Sequence, residues 1–103
     1  MVKELLTAAG LLYPETRFPK LPTGTCVVPM DEVEADGADA KNFILHHDVT
    51  LEMYQSKPDP AAEQALEAQL NARGLKWTKQ SRYWLQSEQC YQVVYEFRYT
   101  EKI

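Results

Sequence analysis

Hydrophobic and polar residues alternate along two long segments of the chain, and this period of two is typical of β-strands that bury one face. In residues 43–54 the odd positions are apolar, apart from His47. In residues 90–100 the odd positions again carry aromatic and aliphatic side chains, from Tyr91 to Tyr99. Both segments are therefore predicted to be strands that turn their odd-numbered residues toward a core.

Two other segments show helical spacing. Residues 2–9 carry apolar side chains three and four positions apart, and Gly10 follows as a stop signal. Residues 59–74 begin with Asp59 as an N-cap and Pro60 in the first turn, and they end on a glycine. The apolar stripe of this second helix is narrow and consists of Ala62, Ala65, Leu66 and Leu70.

The segment before the first long strand predicts a hairpin with an extended tip. Residues 25–28 are predicted to form a short strand that Pro29 ends, because proline cannot donate to a ladder. Residues 31–41 are rich in Asp and Glu and are predicted to be a solvated acidic loop. Residues 13–22 hold three prolines and are predicted to be an irregular extended arm.

Two short apolar stretches lie between the second helix and the last strand. Residues 75–79 and 82–86 are predicted to be strands, and Gln80 and Ser81 between them are predicted to form a tight turn. Strands that meander around a central helix predict the α+β class: an antiparallel or mixed sheet of about four strands, with one N-terminal and one central helix on one face. We predict a single domain over residues 1–103, with a sheet–helix–sheet core at 42–100.

Charge and cysteine content exclude several classes of function. The net charge is −4, and no two basic residues are adjacent, so we predict no specific nucleic-acid partner. No apolar run approaches the ~20 residues of a membrane span, so no membrane partner is predicted. Without a signal peptide or a Cys-x-x-Cys pair, Cys26 and Cys90 are predicted to be reduced, partly buried thiols, with a disulfide as the alternative.

The sequence His46-His47-Asp48 suggests metal chemistry, but its spacing argues against a site. Adjacent residues of a strand point to opposite faces, so His46 and His47 cannot both bind one ion. His47 lies on the apolar face and is predicted to be a packed, hydrogen-bonded core residue. His46 and Asp48 share a face and would need a third ligand, Cys26 or Cys90, to hold a metal. We predict no metal and no cofactor.

Catalytic chemistry has little support in the sequence. A nucleophilic site would need one of the two cysteines beside one of the two histidines in a cleft, and both cysteines lie in strand-like stretches. The four glycines form no phosphate-binding loop. We therefore predict no catalytic residue and no enzyme. The aromatic residues are more informative, since Tyr and Trp are enriched at interfaces, and Trp84 is predicted to contact a partner chain.

Residues 42–99 resemble a family of small proteins encoded in the head–tail morphogenesis cluster of tailed phages and prophages. These are the tail-completion, or tail-to-head joining, proteins, and the broader tail-terminator group. The resemblance lies in the order and spacing of a strand ending in LEMYQSKPDP, a helix starting at Glu63, a turn at Gly74 and the strand SEQCYQVVYEF. The arm with YPETRF resembles the family more weakly.

The resemblance implies a structural protein without active site or cofactor. Such a subunit forms a ring, typically hexameric, that completes the tail and joins it to the head. The implied partners are copies of itself, the tail-tube protein and the head-connector protein. The implied location is the host bacterial cytoplasm during assembly and then the head–tail interface of the virion. The expected contact residues are Tyr13, Arg17 and Phe18 of the arm, Glu34, Asp36 and Asp39 of the acidic loop, and Trp84.

Two alternatives remain open from the residues alone. The chain could be a small non-phage α+β module that binds a protein or a ligand, or it could be an enzyme. Neighbouring portal, capsid and tail-tube genes would separate the phage function from the non-phage module.

Overall fold

The computed structural model describes residues 1–11, 24–37 and 44–102. These residues form one five-stranded antiparallel sheet and two helices, which confirms the α+β prediction. The strands β1, β2 and β5 lie side by side in that order, and β3 and β4 both pair with the other edge of β5. In chain order the elements are α1 (Val2–Ala9), β1 (Thr25–Asp36), β2 (Ile44–Gln55), α2 (Pro60–Ala72), β3 (Trp77–Lys79), β4 (Tyr83–Leu85) and β5 (Cys90–Lys102).

The helix ends match their sequence signals. Gly10 ends α1 in the left-handed conformation, with φ of 73°. At the start of α2 the Asp59 side chain accepts a hydrogen bond of 3.1 Å from the backbone N–H of Ala62, which satisfies one of the free donors of the first turn. Gly74 follows α2 with φ of 68°, a conformation that a residue with a Cβ adopts only with strain.

Both helices cover the odd-numbered face of the sheet. The alternation of β2 and β5 is the predicted one, and their odd positions enter a core that the two helices close. The helices contribute few side chains to this core, and Tyr95 is its largest fully buried residue. The buried cluster consists of Leu5, Leu6, Val27, Val49, Leu51, Met53, Leu66, Leu70, Val93, Tyr95 and Phe97.

The prediction of a short first strand and an acidic loop was wrong for the residues that the structure describes. Strand β1 continues through Pro29 to Asp36 and stays in register with β2, from Thr25 opposite Gln55 to Asp36 opposite Ile44. Within the described chain β1 pairs on one side only, and such an edge strand tolerates a proline because its second set of backbone groups needs no partner. Residues 38–41 of the predicted loop and the arm at 13–22 lie outside the described residues.

The predicted hairpin of the two short strands was also wrong. Strands β3 and β4 do not pair with each other but follow one another along the same edge of β5. Lys79 is opposite Tyr95 and Tyr83 is opposite Gln92, so residues 80–82 bulge against two residues of β5. Because β5 has 13 residues, it offers enough edge for both short strands, and no tight turn at 80–81 is needed.

Beyond the core the sheet continues as a three-stranded projection, which we call the sheet extension. It consists of residues 31–36 of β1, 44–48 of β2 and 98–102 of β5. The core cluster ends at Val49 and Phe97, so the extension carries the sheet past the part that the helices cover. The elongated dimensions of the molecule, 48 × 28 × 22 Å, reflect this projection.

Candidate protein-interaction surfaces

His47 connects the three strands of the sheet extension through its side-chain contacts. Its ring is buried, and its Nδ1 lies 3.0 Å from the Asp31 carboxylate of β1. Its Nε2 lies 3.2 Å from Oε1 of Glu101 on β5. The ring also stacks on Tyr99 at a centroid distance of 4.2 Å, with the two planes 8° apart. The prediction of a packed, hydrogen-bonded histidine is confirmed.

The surroundings of His47 favour its protonated form. Burial by itself lowers the pKa of an imidazole, because it disfavours the charged state. The hydrogen bonds to Asp31 and Glu101, together with their negative charges, outweigh burial and raise the pKa of His47. A protonated His47 can donate from both ring nitrogens at once, so β1, β2 and β5 are joined through one side chain.

The outer edge of the extension along β1 is acidic. Glu32, Glu34 and Asp36 are exposed and point away from the helices, and Asp31 lies on the other face against His47. Their only close basic neighbour on this face among the described residues is His46, whose Nε2 is 3.4 Å from Asp36. Negative side chains along an unpaired edge are a common protection against unspecific sheet pairing.

The opposite edge of the extension, along β5, is basic. Strand β3 begins at Trp77, opposite Phe97, so residues 98–102 lie beyond the last β3 pair. Arg98 is largely exposed and lies 3.5 Å from Asp48, and Lys102 is exposed at the end of the strand. Lys76, which precedes β3, is exposed as well. The two edges of one projection therefore carry opposite charges.

Trp84 lies at the other end of the sheet. Its side chain is partly exposed on β4, and its ring meets the ring of Tyr91 edge-on, with the centroids 4.9 Å apart. The indole N–H donates a hydrogen bond of 3.0 Å to the side-chain oxygen of Gln86. Its neighbour Tyr83 is 64% exposed and projects from the opposite face of the strand. The two rings are therefore exposed on opposite faces of β4, and both lie away from the sheet extension.

A buried ionic cluster fixes α2 against the β3–β4 edge. Glu63 accepts a hydrogen bond of 2.8 Å from Arg82 and one of 2.9 Å from the fully buried Gln55, and its other oxygen is 2.7 Å from Lys79. Burial alone would raise the pKa of Glu63, but these partners lower it to about 2. Glu67 binds Lys79 at 2.8 Å and accepts a hydrogen bond from the Tyr95 hydroxyl.

Sequence reasoning missed this cluster. Glu63 lies in the first turn of α2, where the helix dipole alone favours an acidic residue, so its position did not point to a cluster. The spacing of Glu63 and Glu67, four residues apart on one helix face, was the available signal. The sequence does not show that Lys79 and Arg82, on either side of the bulge, meet that face. The cluster satisfies a buried charge and holds elements together, so it is structural in character.

The groups considered for metal binding or catalysis are kept apart in the structure. His46 contacts Asp36, and Asp48 contacts Arg98. Cys26 and Cys90 are both buried free thiols, more deeply than predicted, and burial raises the pKa of Cys26 to about 11. Within residues 1–11, 24–37 and 44–102, no three metal-binding side chains converge on one point. Neither described helix has the length and apolarity that crossing a membrane requires.

The residues predicted to contact partners do not form one site. Glu34 and Asp36 lie on the acidic edge of β1, while Trp84 lies at the far end of the sheet. Their role in binding stays a prediction. Tyr13, Arg17, Phe18 and Asp39 lie outside the described residues.

Comparisons with known proteins find similarity in fold. No protein-family model matches the chain, and no curated protein matches it by sequence. Among solved structures, the chain is similar to a chain of the virion of a native gene transfer agent particle, with a TM-score of 0.63 and 17% sequence identity. The match covers 96% of this chain and 84% of that one. At this identity the likeness shows a shared fold.

Proposed function

We propose that this chain is a structural protein of a phage or prophage particle. Its finer role is to complete or terminate the tail and join it to the head connector, as a subunit of a ring. The observation that carries the proposal is the fold shared with a virion chain over 96% of the present chain. The sequence resemblance to tail-completion proteins points independently to the same class of particle.

The described surfaces are compatible with mechanical docking. The sheet extension offers two sheet edges, and exposed edges allow one chain to add its backbone hydrogen bonds to another. The chain would contact copies of itself, the tail-tube protein and the head-connector protein. It would act without catalysis or cofactor, in the host bacterial cytoplasm during assembly and then at the head–tail interface of the particle.

The direct test removes the gene from a host that produces the particle. Particles would be counted by electron microscopy, and free heads and free tails would be separated by sedimentation. We expect free heads and unjoined tails to accumulate, and a plasmid copy of the gene to restore joined particles. A normal yield of joined particles from the deletion host would overturn the proposal and favour a non-phage interaction module.

A further inference from the structure

The sheet extension has two free edges in the described part of the chain. β1 over 31–36 pairs only with β2. β5 over 98–102 also pairs only with β2, because β3 first meets β5 at Phe97. Each edge is five or six residues long, and the backbone donors and acceptors of about every second residue point to its free side. Such edges pair with another strand unless their side chains prevent it.

The charges on the two edges exclude pairing of like edges. The β1 edge carries carboxylates at Asp31, Glu32, Glu34 and Asp36 and no cation. Two such edges side by side would bring like charges together, which opposes binding. The β5 edge carries Arg98 and Lys102. Its one carboxylate, Glu101, is 3.2 Å from His47. Only an acidic edge beside a basic edge brings opposite charges together.

The cross-strand register adds a geometric match. Three rows of side chains cross the face of the extension that points away from the helices. Two of the rows begin with an acid on β1 and end with a base on β5, whereas the middle row ends on a threonine. The rows are Glu32–Asp48–Arg98, Glu34–His46–Thr100 and Asp36–Ile44–Lys102.

A second copy placed beside the first without a shift along the strands continues all three rows. Its β1 then lies parallel to β5 of the first copy, because both strands run antiparallel to β2. Arg98 of one copy meets Glu32 of the next, and Lys102 meets Asp36. The contact joins two different surfaces of the same chain, so repetition leads to a ring if the rotation closes.

We propose that residues 31–36 of one copy pair in parallel with residues 98–102 of a second copy, so that the sheet continues from subunit to subunit. The occupant of each edge is thus the opposite edge of another copy of this chain. The inference deepens the proposed function, since it gives the ring a defined contact. The pairing itself concerns copies of this chain alone and can be tested without a phage particle.

Engineered cysteines test the pairing in solution. The variant with Glu34→Cys and Thr100→Cys places thiols in the middle row, on the two edges that are proposed to meet. Under mild oxidation of concentrated protein we expect intermolecular disulfides and a ladder of dimers and higher multimers. The matched control, Glu34→Cys with Thr78→Cys, keeps the acidic edge and moves the second thiol to β3. A ladder of equal strength in the control, or none in either variant, would overturn the pairing.

Charge reversal tests the electrostatic part of the contact in the same disulfide assay. Glu32→Lys with Asp36→Lys makes both edges basic, and Arg98→Glu with Lys102→Glu makes both acidic. Each variant alone should give roughly tenfold less ladder, because like charges face each other at every contact. A mixture of the two variants should restore it, since opposite edges meet again. Circular dichroism would confirm that each variant is folded.

The outcomes separate this inference from the proposed function. The edge pairing is wrong if charge reversal leaves the disulfide ladder unchanged. It is also wrong if the mixture of the two variants forms no more ladder than either variant alone. The gene-deletion experiment can still succeed in that case. If the deletion has no effect on particles while the ladder behaves as described, the proposed function fails and the edge pairing stands.

Discussion

At the scale of single residues, the protein buries two charged side chains, and each is paired with residues of opposite charge. His47 lies between Asp31 and Glu101, and Glu63 lies between Lys79 and Arg82. Within the described chain, no buried side-chain nitrogen or oxygen lacks a hydrogen-bond partner. Burying an unpaired charge costs several kcal/mol, so removing one member of either group should have a measurable effect.

We predict that His47 makes stability depend on pH near neutrality. Because its pKa is raised above 6.5 in the folded state, its contribution is fully present below pH 6.5 and is lost as the pH rises through the folded pKa. The free energy of unfolding should be measured by urea denaturation between pH 5.5 and pH 8. With His47→Gln, the free energy of unfolding should fall less steeply with rising pH across this range. The exposed neighbour change His46→Gln should largely preserve it. An equal slope in wild type and His47→Gln would contradict the prediction.

We predict the opposite pH dependence for Glu63. Its pKa is lowered to about 2, so its contribution is present above its ordinary value of 4.5 and is lost as the pH falls toward 2. Because both cations are partly exposed to water, we expect Glu63→Gln to cost on the order of 2 kcal/mol at pH 7. The difference from wild type should narrow between pH 5 and pH 3. Glu67 is more exposed than Glu63, so Glu67→Gln serves as comparison and should lower the free energy of unfolding by less.

At the scale of elements, local sequence signals determine the helices and the two long inner strands, whereas the extent of β1 depends on pairing with its neighbour. Both helices follow their capping residues, and β2 and β5 follow their alternation. The second half of β1 has no clear alternation of apolar and polar residues, and the sequence predicted a loop there. Pairing with β2 over twelve residues holds it extended despite Pro29 and four carboxylates. Backbone pairing with a strong neighbouring strand can override weak propensity.

We predict that the N-cap of α2 contributes about 1 kcal/mol. Asp59→Ala removes the hydrogen bond to the Ala62 N–H and the contact with Thr25, so the midpoint of urea unfolding should fall. Asp59→Asn can still cap the helix and should lose much less. The exposed change Gln64→Ala, in the middle of the same helix, controls for helix propensity. A loss for Asp59→Asn as large as that for Asp59→Ala would show that charge, not capping, is what matters.

At the scale of the whole molecule, the sheet is longer than the layer of helices that covers it. The core is closed by α1 and α2 over one part of the sheet, and the extension continues beyond it. Most of the apolar core therefore lies outside the extension, in which His47 is buried and Tyr99 packs against the edge of the core cluster. The fully buried apolar residues of the cluster all lie outside the extension, so we expect association to depend on the extension more strongly than the global fold does.

We predict that shortening the extension leaves a folded protein that no longer associates. Removing residues 34–36 together with 44–46 takes out both partners of three consecutive β1–β2 pairs and keeps Val33 opposite His47. The melting temperature should change by only a few degrees, while the disulfide ladder, tested with thiols at positions 32 and 98, should disappear. Removing residues 34–36 alone keeps residues 44–46 of β2 paired with β5, whereas the double deletion also takes the β2 partners from residues 100–102 of β5. The single deletion serves as the comparison for a change confined to the β1 edge. Retained association in the matched deletion would contradict the prediction.

The sequence by itself determined the fold class, both helices, the two long strands and the buried position of His47. These features follow from hydrophobic spacing and capping residues, which act over a few neighbouring positions. It did not determine the length of β1, the pairing of β3 and β4 with the same edge of β5, or the ionic cluster around Glu63. Those depend on which strand is at an edge and on residues far apart in the chain, so only the tertiary structure decided them. The opposite charges of the two extension edges belong to this second group, because register alone places Glu32 and Arg98 at the ends of one row.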